Sequence, residues 1–356
     1  MNLLQQASRS GLVLLGTLTC SMFAYCRLVP IRDIAKLTDS SPVIVVGEVL
    51  RVVQIGSGEI PMPDGKSWTG ESMTAFIRVD EVLKGEPANR TIQVDYLQNN
   101  NWEGGPLTNL LTDGTYLMLF LRKDGEKFAF AAPEQSFIPM SRSRSALSGG
   151  SDGDVYTQVL RHLGEGLFDE QASSQDRTQT ILSIDSEQSP AVPKMFKAAL
   201  DSPAARSDRA FRFELLAALV RHKDVSVLPD LETALLTNHD VILNNARGNM
   251  IYALQQIDPS LSSPILIQAL KLPEPQLRAA AAVALGSVRS NGAIAALFAA
   301  LDDPDTEVRG SAINSLTGIF HAPQCLPPGY APADLFQACV DHWREFAASQ
   351  DLPHTR

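Results

Sequence analysis

Four arginines, Arg212, Arg247, Arg278 and Arg309, recur at steps of 35, 31 and 31 residues. A guanidinium at a fixed place in a repeat has two chemical uses. It can offer its fork of donors to a ligand, or it can pair with an acceptor inside the chain and join neighbouring units. Repeated positions in stacked arrays usually serve the interface between units, so these four are expected to be a structural ladder. A more individual chemistry surrounds one rung. In Asn244-Asn245-Ala246-Arg247-Gly248-Asn249, with Tyr252 one turn further, amides that both donate and accept sit beside an aromatic ring, which is adaptable recognition chemistry. Asn245, Asn249 and Tyr252 are therefore the candidate partner-binding face, against the plainer reading of a solvated helix surface.

Cys325 and Cys339 would be the only cysteines left if the first 26 residues were removed. In an oxidising compartment they could pair, and closing so short a loop stabilises by roughly 3 kcal/mol on the chain-entropy model. Two separate buried thiols are the alternative, since spacing alone fixes no geometry. Other chemistries find no matching residues. His162, His222, His239, His321, His342 and His354 include no pair at the i, i+4 spacing that would put two imidazoles on one metal. No Gly-rich phosphate loop or nucleophile elbow occurs. Gly149-Gly150-Ser151-Asp152-Gly153-Asp154 lacks the downstream Glu of a calcium loop and reads as a flexible linker. Asp80 and Glu81 adjoin at a strand end without neighbours that would raise one pKa. No catalytic residue, cofactor or metal is expected, and the chain reads as a non-enzyme.

The elements that must position the arginines repeat with them. The residue before each arginine and those four and eight further on are Phe211, Leu215, Leu219; Ala246, Met250, Leu254; Leu277, Ala281, Leu285; and Val308, Ala312, Leu316. That spacing is one face of a helix. A second helix precedes each, marked by Phe196/Leu200, Leu231/Leu235, Leu266/Leu270 and Leu297/Leu301. One antiparallel pair cannot bury its apolar faces alone, whereas four stacked pairs can.

These units resemble HEAT repeats of the short bacterial, phycobilisome-lyase-like kind. The match is clearest over Glu274-Pro275-Gln276-Leu277-Arg278-Ala279-Ala280-Ala281-Ala282-Val283-Ala284-Leu285-Gly286 and over Asp303-Pro304-Asp305-Thr306-Glu307-Val308-Arg309 with Ala312 and Leu316. The resemblance implies an α-helical solenoid that binds a protein partner, though a repeat fold alone names no activity. It also implies that a rung arginine pairs with an acid in the turn before its own helix, as Asp303 would for Arg309; Leu272 takes that place before Arg278. HEAT-type lyases are the enzymatic alternative, and they would require a reactive acid, base or thiol on the groove. Ala333 to Ser349, with Leu335, Cys339, Trp343 and Phe346, reads as a helix that closes the open end.

Before the array the period changes. Val43 to Val53, Met73 to Leu83 and Thr91 to Leu97 are β-branched or alternating runs, and Tyr116 to Leu121 is apolar on both faces, as a central strand would be. Asp124-Gly125 turns that strand into Phe128-Ala129-Phe130. Five or six short strands predict a small antiparallel barrel. Val45-Val46-Gly47-Glu48-Val49, Phe76 to Gly85 and Gly114 to Leu121 resemble the OB-type barrel of netrin modules and tissue inhibitors of metalloproteinases. Inhibitors of that family act through a disulfide-fixed N-terminal cysteine. No cysteine lies between Arg27 and Gln324 here, so the resemblance implies the barrel and not that inhibition; a protease-inhibitor-like binding module is an alternative function.

Composition bounds the rest. With 44% hydrophobic and 20% charged residues the chain is neither disordered nor polytopic in a membrane. A net charge of −10 disfavours nucleic acid as a partner. Arg9, the apolar run Gly11 to Ala24 and Ala24-Tyr25-Cys26, with small residues at the positions a signal peptidase would read, fit an export signal, with a first buried helix as the alternative. The run is shorter than the roughly 20 residues a bilayer span requires, so no stable membrane insertion is expected after signal removal. The expected order is a signal peptide (1–26), an OB-like β-barrel domain (27–145), an acidic linker with a short helix (146–190), four HEAT-like repeats (191–320), and a capping helix and tail (321–356). Such a chain is expected to be an exported, periplasmic or extracellular protein-interaction scaffold of the bacterial cell envelope.

Overall fold

Asp33 begins the described chain, and its carboxylate accepts the Lys36 amide at 2.7 Å to cap α1 (Ile34–Ser40). The computed structural model describes residues 33–61, 67–98, 111–132, 136–140, 153–326 and 332–349. The expected signal peptide, with Cys20 and Cys26, lies outside them, as does most of the Gly149–Asp154 segment. Six strands follow α1: β1 (Val43–Pro61), β2 (Ser67–Lys84), β3 (Thr91–Gln98), β4 (Tyr116–Asp124), β5 (Lys127–Phe130) and β6 (Phe137–Pro139). They form a six-stranded sheet in the order β1-β2-β3-β5-β4-β6, in which β1 also pairs with β4. Val43–Glu48 faces Tyr116–Leu121 on one side and β2 on the other. β3 and β5 run parallel; the remaining pairs are antiparallel.

The apolar runs in β1 and β4 have a physical cause in this arrangement. Val43, Val45, Leu117, Leu119 and Leu121 point to one core with Ile77, Val94 and Phe130. Their alternates, Ile44, Val46, Met118 and Phe120, join a second core with the helices. A strand buried on both faces loses the polar alternation of a half-exposed one. Gly47 is required where β1 crosses β2, because a Cβ there would stand 2.1 Å from the Arg78 carbonyl oxygen. Beyond the body of the sheet β1 and β2 continue as a two-stranded ribbon, Gly58–Pro61 against Ser67–Gly70, longer than the sequence pattern predicts.

Five helix pairs follow. They are α2 (Val155–Gly164) with α3 (Ser174–Ile184); α4 (Ala191–Leu200), a short α5 (Pro203–Ser207) and α6 (Arg209–Arg221); α7 (Leu228–Thr237) with α8 (Asn244–Ala253); α9 (Pro259–Ala269) with α10 (Pro275–Val288); and α11 (Asn291–Ala299) with α12 (Thr306–Phe320). The last helix, α13 (Ala333–Ser349), covers α12 with the buried Trp343. The second helices of successive pairs pack on one another; Gly286 of α10 lies so close to Ser315 of α12 that an added Cβ would meet its side chain at 2.5 Å.

The segment expected to be an acidic linker with one short helix is a helix pair of the array. Its acids cap helices rather than solvate a tether. Asp154 accepts the Thr157 amide at 2.8 Å to start α2, and Ser173 with Asp176 forms a capping box that starts α3. Because α2 and α3 carry the second core onto the sheet, α1, β1, β4, β6 and every helix pair contribute to one continuous apolar cluster. His162 of α2 adds a polar contact there, with Nε2 3.2 Å from Glu81 of β2 and Nδ1 3.4 Å from Glu165.

Candidate functional site

Each ladder arginine donates to backbone carbonyls in the last turn of the first helix of its own pair or in the turn that follows it. The carbonyls of Leu200 and Leu235 belong to last turns, where they lack intrahelical partners and carry the negative end of the helix dipole. Arg212 donates to the Leu200 carbonyl at 3.4 Å. Arg247 donates twice to Leu235, at 3.1 and 2.8 Å. Arg278 reaches the carbonyls of Leu272 and Pro273, both at 2.9 Å, and Arg309 those of Asp303 and Pro304 at 2.7 and 3.0 Å.

A carboxylate from the following pair completes each rung but the last. Arg212 meets Asp230 at 3.0 Å, Arg247 meets Glu274 at 2.9 Å, and Arg278 holds both oxygens of Asp303 at 2.8 and 2.9 Å. Burial works to raise the Asp303 carboxyl, but the bonds from Arg278 and the Asp305 amide, with the charges of Arg278 and Arg309, outweigh it and hold it below its ordinary value. The expectation that Asp303 serves Arg309 is thus corrected. Asp303 precedes α12, and its carboxylate leans across the junction onto α10, leaving only its backbone carbonyl for Arg309. Among the described residues Arg309 makes no ion pair; it donates to the Thr306 hydroxyl at 3.2 Å and lies over the Phe336 ring of α13 at 5.3 Å.

A fifth rung, absent from the sequence reading, precedes these four. Arg177 of α3 donates to the carbonyls of Asp169 and Glu170 and meets Asp208 at 3.4 Å. It stands 35 residues before Arg212, the same step that separates Arg212 from Arg247, and that spacing was the signal available.

The candidate face lies on the second helices. Asn249 donates to Oε1 of Glu214 on α6 at 2.8 Å, and the two occupy the same place in consecutive repeats, two residues after the rung arginine. Glu214 is only 7% exposed. Burial raises its carboxyl above the ordinary value; the Asn249 bond and the Arg221 charge oppose that, and the Asp185 charge adds to it. Arg221 in turn donates to Asp185 at 2.6 Å, and His222 Nε2 stands 3.5 Å from the other Asp185 oxygen with its ring edge-on to Phe196. Two hydrogen bonds, Asn249 to Glu214 and Arg221 to Asp185, and the attraction of the Arg221 charge for Glu214 thus span three pairs, with His222 beside Asp185; of these residues the sequence pattern indicated only Asn249.

Tyr252 follows one turn after Asn249 and is 43% exposed. Burial of the rest of the ring raises its hydroxyl, with a contribution from the Glu307 charge. Leu182, at the equivalent position of the first pair, is exposed, and so is Asn245. The longer turn before α8 exposes Val241 and Ile242, the latter at 85%. This arrangement offers amides, one aromatic ring and scattered apolar side chains, which suit contact with a polypeptide surface. Among the described residues no group of His, Cys, Asp and Glu could hold a metal ion, and no helix is long and apolar enough to cross a membrane.

A family model described as HEAT repeats matches residues 243–317, from the end of the turn before α8 into α12. The helical region therefore carries HEAT repeats over at least that span. No curated protein matches the chain. Among solved structures, human deoxyhypusine hydroxylase in complex with glycerol is similar at 15% identity over 54% of this chain and 97% of that one, with a TM-score of 0.24.

Proposed function

We propose that the chain is a non-catalytic protein-binding scaffold of the bacterial cell envelope, engaging a protein partner through the second-helix face of its repeat array. The observation that carries this reading is the contrast between two sets of polar residues. The ladder arginines spend their donors on carbonyls, carboxylates and a ring within the chain, while Asn245 and Tyr252 stand open on one face of α8. Stacked helix pairs present extended surfaces of this kind to other proteins.

The sheet is read as an OB-type barrel and a second module. Support comes from the pairing circuit β1-β2-β3-β5-β4 that returns to β1 among the described residues, with β6 added on β4, together with the netrin-like run Val45 to Val49. Export rests on the order of Arg9 and the apolar run Gly11 to Ala24; a mature protein beginning near residue 27 supports it, and one retaining residues 1–26 sinks it.

The binding reading is tested by crosslinking in envelope fractions with the wild-type chain and an Asn245→Ala/Tyr252→Ala variant. Asn249 is left in place because its loss would strip Glu214 of its partner. Loss of a specific crosslinked protein in the variant, with circular dichroism unchanged, supports this face. Equal recovery returns it to plain solvent.

A further inference from the structure

The rung arginines of α3, α6 and α8 stand 35 residues apart, so equivalent places on these three helices can be compared directly. Two residues past the arginine they carry Gln179, Glu214 and Asn249, and five past it Leu182, Ala217 and Tyr252. Helix α6 packs between α3 and α8, and it supplies the odd member of each row. Leu182 and Tyr252 are 58% and 43% exposed, whereas Ala217 is fully buried. Gln179 and Asn249 are exposed amides, whereas Glu214 is a buried carboxylate. The face is thus notched at α6, with a carboxylate on its floor where the flanking helices place neutral side chains.

That carboxylate is half used. Asn249 donates to Oε1 at 2.8 Å. Oε2 accepts no hydrogen bond among the described residues, yet it is not sealed from solvent as the unpartnered Asp185 Oδ1 and His222 Nε2 are. Arg221 gives its hydrogen bond to Asp185 at 2.6 Å and reaches Glu214 by charge alone. Two carboxylates therefore meet one guanidinium, in a chain whose net charge is −10. A carboxylate buried this far is short of solvation, and a cation brought to its open oxygen acts across a low dielectric. Cys325, half-buried, and Cys339, buried, are free thiols elsewhere in the chain and take no part here.

We propose that the notch takes the ammonium of a lysine side chain from a protein partner, with Glu214 Oε2 as its acceptor and the alkyl stem laid over Ala217 beside the Tyr252 ring. This rests on the binding reading above and names the chemistry of the partner. Lysine is favoured over arginine by the single open oxygen. The fork of a guanidinium matches two carboxylate oxygens, and Asn249 already holds one, whereas an ammonium is a compact point charge. Tyr252 adds a ring for the cation and apolar surface for its stem.

The full-length chain is labelled with fluorotyrosine, its Tyr252 signal is assigned with Tyr252→Phe, and the peptide acetyl-Ala-Lys-Ala-amide is titrated near neutral pH. A saturable shift of the Tyr252 fluorine line is expected. The shift should be absent with the Nε-acetyl-lysine peptide, and binding should weaken about tenfold or more in Glu214→Gln. That variant keeps an acceptor for Asn249 and an unbroken core, so its loss of binding is not a loss of structure; unchanged circular dichroism checks this. No saturable shift, equal affinity in Glu214→Gln, or an arginine peptide that binds as tightly as the lysine one would each overturn the assignment.

Crosslinking in envelope fractions separates this inference from the binding reading. A crosslinked protein lost in Asn245→Ala/Tyr252→Ala but kept in Glu214→Gln overturns the lysine site and leaves the face standing, whereas loss in both variants supports the site. A wild-type chain that crosslinks nothing, while the lysine peptide still binds through Glu214, sinks the scaffold reading and leaves the notch intact.

Discussion

Glu187 accepts the backbone N–H of Ile34 at 3.0 Å across 153 residues of sequence. Its other oxygen accepts the Tyr156 hydroxyl at 2.5 Å. One carboxylate in the turn between α3 and α4 thus fixes the first turn of α1 and the first turn of α2, and with them the seam between sheet and helices. Glu187→Ala should cost about 3 kcal/mol, because it leaves a buried N–H and a hydroxyl without acceptors, whereas Tyr156→Phe should cost about 1 kcal/mol. Urea unfolding followed by both tryptophan fluorescence and circular dichroism checks this. Sheet and helices should unfold in one transition, and two resolved transitions would contradict a shared core.

Arg247 is fully buried and donates to Leu235, Asn244 and Glu274. Its replacement by Ala strands the Glu274 carboxylate and the end of α7, which should cost about 3–5 kcal/mol. Arg309→Ala, at the last rung and partly exposed, should cost nearer 1 kcal/mol. Equal losses at the two sites would show that the rungs do not differ in the way their burial requires.

Two carboxyls should respond to pH with opposite sign. Burial raises Glu214, so its contribution to stability is full below its unfolded pKa and is lost as pH rises through the folded one. Glu214→Gln, which keeps an acceptor for Asn249, should therefore be more stable than wild type at pH 7, with the gain shrinking in acid. Asp303 is held low by Arg278 against its own burial, so its contribution is present above its unfolded pKa and is lost as pH falls through the folded one. Asp303→Asn should be less stable at pH 7, and the deficit should shrink toward low pH. Melting curves between about pH 3 and 8 read both slopes; parallel profiles for variant and wild type would refute the assignment.

Gly47→Ala and Gly248→Ala should act in opposite directions. The first drives a methyl into the Arg78 carbonyl and should cost about 3 kcal/mol or more. The second meets nothing within 4 Å in the interior of α8 and should stabilise by up to about 1 kcal/mol. It also places a methyl between Asn245 and Tyr252, so weaker partner crosslinking in a more stable protein would separate a contact effect from a folding effect.

The helices were legible where apolar spacing is dense. The second helices from α6 to α12 and the closing helix Ala333–Ser349 follow the sequence pattern because their faces are filled by Leu, Ala and Val. The first pair was hidden, since α3 carries Ser, Gln, Asp, Arg and Thr around only Ile181 and Ile184 as buried aliphatic residues. Its arginine kept the period when its apolar residues did not. The ribbon Gly58–Pro61 with Ser67–Gly70 was underread for a different reason: it extends past β3, and Gly and Ser there give no alternation to detect. At the candidate face the sequence indicated Asn249 but not Glu214, because a glutamate in a helix is ordinarily solvated and only the packing of α6 against α8 buries this one.

The two apolar faces of β1 and β4 also bear on how the chain is made. Residues 43–140 leave the ribosome before α2 exists, so the sheet can fill its inner core while Ile44, Val46, Met118 and Phe120 still have no cover. Until the first two helix pairs are synthesised, that stripe is an adhesive surface on a nascent chain, the kind of intermediate that aggregates or recruits a chaperone. Arrest of translation near residue 150 should therefore yield a sticky product, and release past residue 200 a quiet one.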